Sequence, residues 1–393
     1  MSVGAAGGRP LPAVFQHGFR PFFLGGALWA AGALALWMAA LHGTGAPASA
    51  LPPLVWHGHA MVYGFGLAIV AGFLLTAVPN WTATGPLRGA PLAGLAGLWL
   101  LGRAVMTLGG GLPVAVVAAT DMAFGLVLLG WVARVIVGTG NWRNLPVLAA
   151  LGVLVAGNAV VHVQTLGMAP LAGAGNRLGI AAIALLATLI GGRIVPAFTR
   201  NWLRQTGRGG PYPAEPDDLD RLGLVTAAAA LAAWVGLGAH PLTAVLAGCA
   251  AVLTAVRLAR WRGWRAHTEP LLWVLHLGYA WLPVGFGLIA LHAAGAVPAT
   301  AALHALTAGL MGTLMLAMMT RVPRGHTGRP LRADAVTAAL YGLVIASGLL
   351  RVVAGMSPAL APGLMGLSAA AWIAAFGGYA LSHAPMLLTA RAE

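Results

Sequence analysis

Long apolar runs dominate the chain, and short connections rich in glycine, proline or arginine separate them. A run of about 20 apolar residues is long enough to cross the roughly 30 Å of hydrocarbon in a bilayer. Twelve such runs are present, and they predict an all-α protein that crosses a membrane twelve times. Their approximate ranges are 19–41, 56–78, 91–110, 113–135, 145–166, 177–198, 221–239, 241–259, 270–293, 300–320, 333–355 and 358–382.

The composition supports this interpretation and narrows it. Of the 393 residues, 59% are hydrophobic and 8% are charged, whereas an ordinary soluble protein carries about 25% charged residues. A soluble domain is therefore excluded, and we treat 1–393 as a single integral membrane domain in contact with the lipid bilayer. The one cysteine, Cys249, excludes a disulfide within the chain and a cysteine-rich zinc or iron–sulfur site.

The basic residues predict the direction of the spans. The formal net charge is +14, and all 22 basic residues are arginine. In a soluble protein such a charge indicates a nucleic-acid partner. Here, however, arginine clusters in the connections after the even-numbered spans and is absent from those after the odd-numbered spans. The positive-inside rule then places both termini in the cytoplasm and removes the reason to expect nucleic acid. Residues 1–18 become a cytoplasmic N-terminal segment, and 204–220 become a cytoplasmic linker between spans 6 and 7.

Spans 2, 6 and 10 end alike and indicate an internal repeat. Each carries a Val-Pro pair near its end, at 78–79, 195–196 and 322–323. Spans 2 and 10 also share a His-Ala pair near their start, at 59–60 and 304–305. Four spans repeated three times give twelve. The pattern predicts three pseudo-symmetric four-helix arcs, an arrangement that resembles the catalytic subunits of haem–copper oxidases.

The twelve histidines fall into two belts, one near each membrane face. Imidazole is a common ligand of copper and haem iron, so we predict an outer metal site from His57, His59 and His304. Residues two apart on a helix point about 200° apart. His57 and His59 therefore share one metal only if Gly58 loosens the helix; otherwise they serve different sites, or one of them is structural. At the outer interface, His42, His240 and His292 are expected to do no more than hydrogen-bond a neighbouring helix.

Two charged residues lie inside the outer half of the membrane. Asp121 in span 4 is the one acid deep in a span, and Arg103 in span 3 lies at a similar depth. Because an isolated charge is costly in the membrane, we expect an ion pair that joins these neighbouring helices. The alternative is that Asp121 belongs to a proton route. Asn158 and His162 lie four residues apart on span 5 and share a helix face.

Several long blocks resemble the NnrS family over nearly the whole chain. The blocks are GFRPFF (18–23), WHGHAMVYGF (56–65), AGFLLTAVPNWT (71–82), RIVPAFTRNWL (193–203), HLGYAWLPVG (276–285) and HALTAGLMGTLMLAMMTRVPRGHTGRPL (304–331). NnrS proteins are twelve-span proteins of the bacterial inner membrane that are reported to contain haem and copper. They are associated with nitric oxide (NO) metabolism and with resistance to nitrosative stress.

The resemblance implies cofactors and residues that hold them. It implies haem b and copper, bound by histidines within these blocks, namely His57, His59, His276, His304 and His326. Arg321 and Arg20 are implied as cofactor-binding residues, and His276 with His326 would form a second, inner site. His162 lies outside the blocks and is a weaker candidate metal ligand. The family pattern reads H-x-H-E, whereas Ala60 follows His59 here. A glutamate at that position could accept a proton or hydrogen-bond a metal-bound histidine, and the alanine side chain can do neither.

Three functions are consistent with this sequence. The first is a redox protein that reduces NO to N2O with electrons from a quinol or a soluble donor. The second is a non-enzymatic haem or copper carrier, or a sensor of NO or metal. The third is a secondary transporter, although the repeat is threefold and Arg103 with Asp121 is the one pair of charges inside the spans.

Overall fold

The structure, a computed structural model, describes residues 11–168 and 173–390. Over these ranges it contains twelve helices that are long and apolar enough to cross a membrane, and no β-strand. We number them α1 (Phe19–Leu41), α2 (Pro53–Thr82), α3 (Ala90–Leu108), α4 (Val114–Gly138), α5 (Trp142–Thr165), α6 (Ala174–Gln205), α7 (Asp218–Leu237), α8 (Pro241–Arg260), α9 (Pro270–Ala293), α10 (Ala299–His326), α11 (Ala335–Met356) and α12 (Ala361–Leu388). The all-α, twelve-span prediction is confirmed. Residues 1–10 of the predicted N-terminal segment lie outside the described ranges.

Polar residues and prolines set where several helices begin. The Asp217 side chain accepts hydrogen bonds from the backbone N–H groups of Leu219 and Asp220, which forms a capping box at the start of α7. Asp334 accepts from the backbone N–H of Thr337 at 2.8 Å and caps α11. Helices α2, α8 and α9 have proline at their first turn, where its missing N–H costs nothing.

Three helices form the centre of the bundle. The apolar windows of α2, α6 and α10 are 83%, 67% and 67% buried, whereas those of the other nine are between 28% and 56% buried. These are the three spans with matching ends. Each contains an internal proline and a π-helical segment, at Ala60–Gly66, Ala187–Gly191 and Ala305–Met311. The three arcs themselves remain a prediction, which this shared centre supports.

The π-helical segment of α2 is held by two indoles. Trp29 Nε1 donates to the carbonyl of Ala60 at 2.9 Å, and Trp99 Nε1 donates to the carbonyl of Gly64 at 2.9 Å. Side-chain donors of this kind satisfy carbonyls that a widened helix leaves without regular partners. π segments occur often at functional sites because they re-aim the neighbouring side chains. Here the segment begins directly after His59.

The two ends of the bundle differ in charge. The Arg20 guanidinium donates to the carbonyls of Leu387 and Thr389 at 3.0 and 2.6 Å, so the start of α1 and the end of α12 lie at the same end. We call this the arginine-rich end, because it also holds the connections after α2, α4, α6, α8 and α10. The opposite end, with the connections after α1, α3, α5, α7, α9 and α11, is the arginine-poor end. Twelve apolar helices make this a multi-pass membrane protein.

Candidate metal centre

Four helices bring polar side chains together near the arginine-poor end. The cluster is centred on Asp121 of α4, and each member is at most 4% exposed to solvent. Its other members come from α2, α3 and α5: His59, Arg103, Asn158 and His162. Placing charged and polar groups at this depth costs free energy, so they are found where they pair with one another or serve a function.

Asp121 accepts hydrogen bonds at both carboxylate oxygens. His59 Nε2 and His162 Nε2 each lie 2.9 Å from Oδ2, and Asn158 Nδ2 lies 2.8 Å from the same oxygen. The Arg103 guanidinium donates to Oδ1. The ion pair between neighbouring helices is therefore confirmed, and its acid also contacts two histidines.

The hydrogen-bond network assigns the imidazole protons. His59 Nε2 faces two acceptors, Asp121 Oδ2 and Asn158 Oδ1, each at 2.9 Å. Nε2 of His59 therefore carries a proton that it donates, and His162 Nε2 donates to Asp121 in the same way. In both rings Nδ1 is buried and has no hydrogen-bond partner within 11–168 and 173–390. Each of these nitrogens therefore keeps its lone pair.

The same cluster has the geometry of a metal site. One ligand atom each from His59, Asp121 and His162 lies within 4.8 Å of the others, and this is the one such group of three found in the described ranges. Nitrogen and oxygen ligands bind an ion such as zinc at about 2.0–2.2 Å, so two ligands of one ion lie about 3 Å apart. The 2.9 Å separations from each Nε2 to Asp121 Oδ2 match this value. A metal ion that replaces the two Nε2 protons could therefore be held by these three residues.

His57 and His59 have different surroundings, as their two-residue spacing on a helix predicts. The His57 ring stacks on Trp37 with centroids 4.6 Å apart, and its Nδ1 is buried without a hydrogen-bond partner in the part of the chain described. His57, His304 and Arg351 lie within electrostatic range of one another. The structure thus groups His59 with His162, and it does not gather His57, His59 and His304 into one set of three ligand atoms. That these histidines bind metal stays a prediction.

His304 is oriented by its own helix. Its Nδ1 lies 2.7 Å from the carbonyl oxygen of Thr300, so Nδ1 donates a proton and Nε2 keeps a free lone pair. Metal-binding histidines commonly donate one ring N–H to a carbonyl in this way, which fixes the ring and raises its basicity. His304 is therefore prepared as a ligand through Nε2.

Gly58, which separates the two histidines on α2, lies in close contact with α6. A side chain at this position would overlap the amide group of Asn176 on α6. Small residues let membrane helices approach closely. The helix is not loosened at Gly58: the π segment begins only at Ala60.

The histidines of the arginine-rich end lie in separate environments. His276 Nε2 contacts Thr199 Oγ1 at 2.9 Å, while the His326 ring packs near Phe19 and His17 at centroid distances of 5.8 and 6.2 Å. Burial lowers the pKa of His17, and the nearby His326, Arg20 and Arg88 lower it further. The predicted inner site of His276 with His326 is not among the groups of three ligand residues in the described ranges and stays a prediction.

The two arginines implied as cofactor-binding residues have structural contacts. Arg20 is buried and donates to the last carbonyls of α12, an arrangement that caps a helix C-terminus. The Arg321 guanidinium lies 4.1 Å from the ring centroid of Phe198, which is a cation–π distance. A role in holding a cofactor stays a prediction for both.

The three interface histidines hydrogen-bond within their own segments and not, as expected, to a neighbouring helix. His42 Nδ1 lies 2.8 Å from the carbonyl of Met38, and His292 Nδ1 lies 3.0 Å from the carbonyl of Val297. His240 Nδ1 accepts from the backbone N–H of Leu242 at 3.1 Å and caps α8. His240 is exposed at the arginine-poor end, so it serves as a matched control for the buried histidines.

From the sequence, His162 was only a weaker candidate metal ligand, and the contact between Asn158 and His59 was not predicted. The signals were present: Asn158 and His162 share a face of α5, and Asp121 lies at the matching depth of α4. What the sequence alone does not provide is the contact of these two helices with α2, which places His59 on the same carboxylate.

A family model described as NnrS protein matches residues 13–391. The match covers nearly the whole chain and contains all of the blocks on which the resemblance was based. A comparison with curated proteins finds no matching relative.

Proposed function

From the premise that this chain belongs to the NnrS family, we propose that it is a membrane redox protein that reduces NO to N2O and relieves nitrosative stress. Family membership suggests a role linked to NO metabolism and is linked to metal and haem binding. The observation that carries the proposal is the buried cluster of His59, Asp121 and His162, whose ligand atoms are close enough to share one metal ion.

The donor set favours copper at this cluster. Two imidazole nitrogens and one carboxylate oxygen suit copper(II), and none of the cysteine ligands that select other centres is needed. Two histidines and one carboxylate with open positions also form non-haem ferrous sites, so metal analysis must measure both elements. When bound, the copper supplies a one-electron redox couple and an open position for NO.

Haem b is assigned to the second pair of histidines. His57 Nδ1 is buried without a partner within the described ranges, and His304 Nε2 keeps a free lone pair. His57 on α2 and His304 on α10 are the residues that would hold the haem, which would supply a second one-electron couple. Stacking on Trp37 fixes the His57 ring, and Arg351 provides a cation within range of both histidines.

The residues around the cluster orient it and exclude water. Arg103 pairs with Asp121 and holds it as a carboxylate, which in turn orients the imidazoles of His59 and His162. Asn158 donates to Asp121 and so helps to hold the carboxylate in place. Because the groups are held by several helices, their positions are preorganised for binding.

An apolar cavity at the centre of the bundle provides a route for NO. It has a volume of about 100 Å³ and is lined by side chains of α2, α6, α9 and α10, among them Ile69, Phe73, Ile183, Leu310 and Met315. Cavities lined only by apolar groups stay dry and bind small apolar molecules. NO is small and uncharged, so it would enter from the lipid without polar groups along the way.

The reaction balances with an external reductant. Two NO, two electrons and two protons give N2O and water, and the electrons come from a quinol or a soluble donor. The test is NO consumption by the purified, dithionite-reduced protein under anaerobic conditions. We expect one N2O per two NO, with rates at least tenfold lower in His59→Ala and His162→Ala and unchanged in His240→Ala. Protein that holds its metals but consumes no NO would support the carrier or sensor alternative instead.

The transporter alternative has its own test. An optical spectrum without a haem Soret band, together with no copper or iron by elemental analysis, would leave the redox proposal without support. Transport would then be the better explanation of twelve spans.

We also propose that the protein lies in the bacterial inner membrane with its arginine-rich end in the cytoplasm. The asymmetry of arginine between the two ends supports this orientation. In a Cys249→Ala background, Thr206→Cys at the arginine-rich end should resist a membrane-impermeant thiol reagent in intact cells, whereas Ser357→Cys at the arginine-poor end should react. The reverse pattern would contradict the orientation.

A further inference from the structure

A second cavity lies at the arginine-rich end, between α8, α9 and their connection, residues 261–269. Its volume is about 450 Å³, which is within the range of small-molecule sites. Most of its wall is apolar. The exceptions are two imidazoles, His267 and His276, and two indoles, Trp264 and Trp273.

His276 presents a hydrogen-bond acceptor to this cavity. Thr199 Oγ1 donates its one proton to the carbonyl of Val195 at 2.9 Å, so in its contact with His276 the ring Nε2 is the donor. The other nitrogen, Nδ1, therefore carries a lone pair. It is buried in a side chain only 7% exposed, and no described residue donates to it.

The chain passes close to this ring at Gly263. A Cβ atom there would lie 2.5 Å from both Cγ and Nδ1 of His276 and 2.9 Å from Cε1, so it would collide with the ring and displace it. Gly263 itself lines the cavity. The cavity, the glycine and the unpartnered lone pair thus coincide.

His267 offers a second acceptor. Its Nδ1 lies 2.9 Å from the carbonyl oxygen of Trp264, so Nδ1 donates and Nε2 keeps its lone pair. The two histidines of this cavity therefore complement a ligand with two hydroxyl donors.

The cavity is open towards the side of the bundle. Trp264 and Leu277, both in its wall, are 61% and 47% exposed. Leu277 lies two turns inside α9, at a depth where an exposed leucine on a membrane helix contacts lipid. A ligand dissolved in the bilayer would reach the cavity sideways, with an apolar tail left in the lipid.

Three of the four arginines in 257–265 are already engaged, and the fourth, Arg262, is not part of the cavity wall, which disfavours an anionic ligand. Arg260 pairs with Asp217, Arg257 pairs with Asp220, and Arg265 donates to the carbonyls of Gly209 and Pro211. The ligand that fits these features is therefore neutral. It has an aromatic ring that can contact Trp264 and Trp273, two hydroxyl groups for the two histidines, and an apolar tail for the lipid.

We propose that the cavity of His267 and His276 binds the headgroup of an isoprenoid hydroquinone. One hydroxyl donates to His276 Nδ1 and the other to His267 Nε2. Oxidation of the hydroquinone to the quinone releases two electrons and two protons, the numbers that two NO consume. The binding site stands on its own geometry, while the delivery of electrons rests on the proposed function. Because the quinone offers acceptors only, the site prefers the reduced form.

The test compares binding and turnover with a short-chain hydroquinone, decylubiquinol, in protein reconstituted into lipid nanodiscs. We expect decylubiquinol to bind at least tenfold more tightly than decylubiquinone. His276→Phe and Gly263→Ala should each raise the Kd of decylubiquinol at least tenfold, while His240→Ala should leave it unchanged. His276→Phe and Gly263→Ala should also lower the ratio of decylubiquinol-driven to dithionite-driven NO consumption at least tenfold.

The outcomes separate this proposal from the proposed function. Turnover with dithionite but neither binding nor turnover with decylubiquinol would overturn the hydroquinone site alone. Hydroquinone binding with the expected variant pattern, but no NO consumption with either reductant, would overturn the function and support the site. Loss of haem or copper in His276→Phe and Gly263→Ala would assign the cavity to a metal cofactor and overturn the proposal.

Discussion

Aspartates at the two ends of the bundle differ in how deeply they are buried and in how many side chains they contact. At the arginine-poor end, Asp121 is buried and contacts four side chains from three other helices. At the arginine-rich end, Asp218 pairs with Arg221 while 93% and 84% of their side chains remain exposed. Exposed pairs contribute about 0–1 kcal/mol because water screens them, whereas a buried charge is tolerated only with complete pairing. The comparison shows that position in the bundle, and not residue type, makes Asp121 the centre of a site.

Asp217, at the start of α7, shows how an aspartate at the arginine-rich end serves the fold. A hydrogen bond from Arg260 holds the pKa of Asp217 well below its ordinary value. Asp217 also caps α7. Its contacts organise the start of a helix and leave the carboxylate accessible to water, so they create no site for a ligand.

The largest expected effect comes from removing the buried acid. Asp121→Ala leaves the Arg103 charge buried without its partner, and such a change costs about 3–5 kcal/mol. We expect a large fall in the midpoint of thermal unfolding in detergent. Asp218→Asn is the matched change at the exposed pair and should leave the midpoint unaltered. Equal effects of the two substitutions would contradict the difference between the two ends.

The next effect concerns the metal. His59→Ala and His162→Ala each remove one imidazole ligand from the cluster, and we expect the copper content of the purified protein to fall at least tenfold. Elemental analysis of copper and iron measures the loss. His240→Ala, an exposed histidine at the same end, should keep full metal content. Full occupancy in both cluster variants would rule out the proposed ligands.

Substitution of glycine by alanine should change the stability of the protein less, and the structure predicts whether each change stabilises or destabilises it. A methyl group in Gly58→Ala would overlap Asn176, and overpacking of this kind costs about 1–3 kcal/mol. Gly248→Ala on α8 meets no atom within 4 Å, so it should stabilise its helix by about 0.4–1 kcal/mol. Unfolding midpoints should therefore move in opposite directions. Stabilisation by Gly58→Ala would show that α2 and α6 are not closely packed there.

The smallest effect depends on pH. Hydrogen bonds from Thr337, with a contribution from Arg324, lower the pKa of Asp334 to about 2. A carboxyl with a depressed pKa stabilises the fold above its ordinary value near 4 and loses that contribution as the pH falls through about 2. Because Asp334 is mostly exposed, we expect Asp334→Asn to cost only about 0.3 kcal/mol at pH 6. The difference from the unaltered protein should shrink between pH 4 and pH 2, as measured by unfolding at each pH; a constant difference would exclude this linkage.

Much of the fold could be predicted from the sequence because hydrocarbon imposes a strict length on each apolar run. The twelve spans and the grouping of spans 2, 6 and 10 followed from run lengths and repeated Val-Pro pairs. The predicted limits were less accurate at α2, α6, α10 and α12, whose helices end several residues beyond the apolar runs. Polar ends such as 199–205 continue a helix without being apolar enough to mark it.

The candidate site was predicted in part. The ion pair of Arg103 and Asp121 followed from the cost of isolated charge in a membrane, and the divergence of His57 and His59 followed from helix geometry. The meeting of His59 with His162 could not be predicted, because it depends on how α2 packs against α4 and α5. That packing relies on glycines such as Gly157 on α5 and Gly179 on α6, against which Tyr63 of α2 fits closely. Such close contacts can be recognised only once the helices are placed.

A metal-resolved structure of the purified protein would show whether the buried cluster holds copper. We expect one copper ion bonded to His59 Nε2, His162 Nε2 and Asp121 Oδ2, identified by anomalous scattering at the copper edge. Metal located elsewhere, with both Nε2 atoms still donating hydrogen bonds to Asp121, would contradict it.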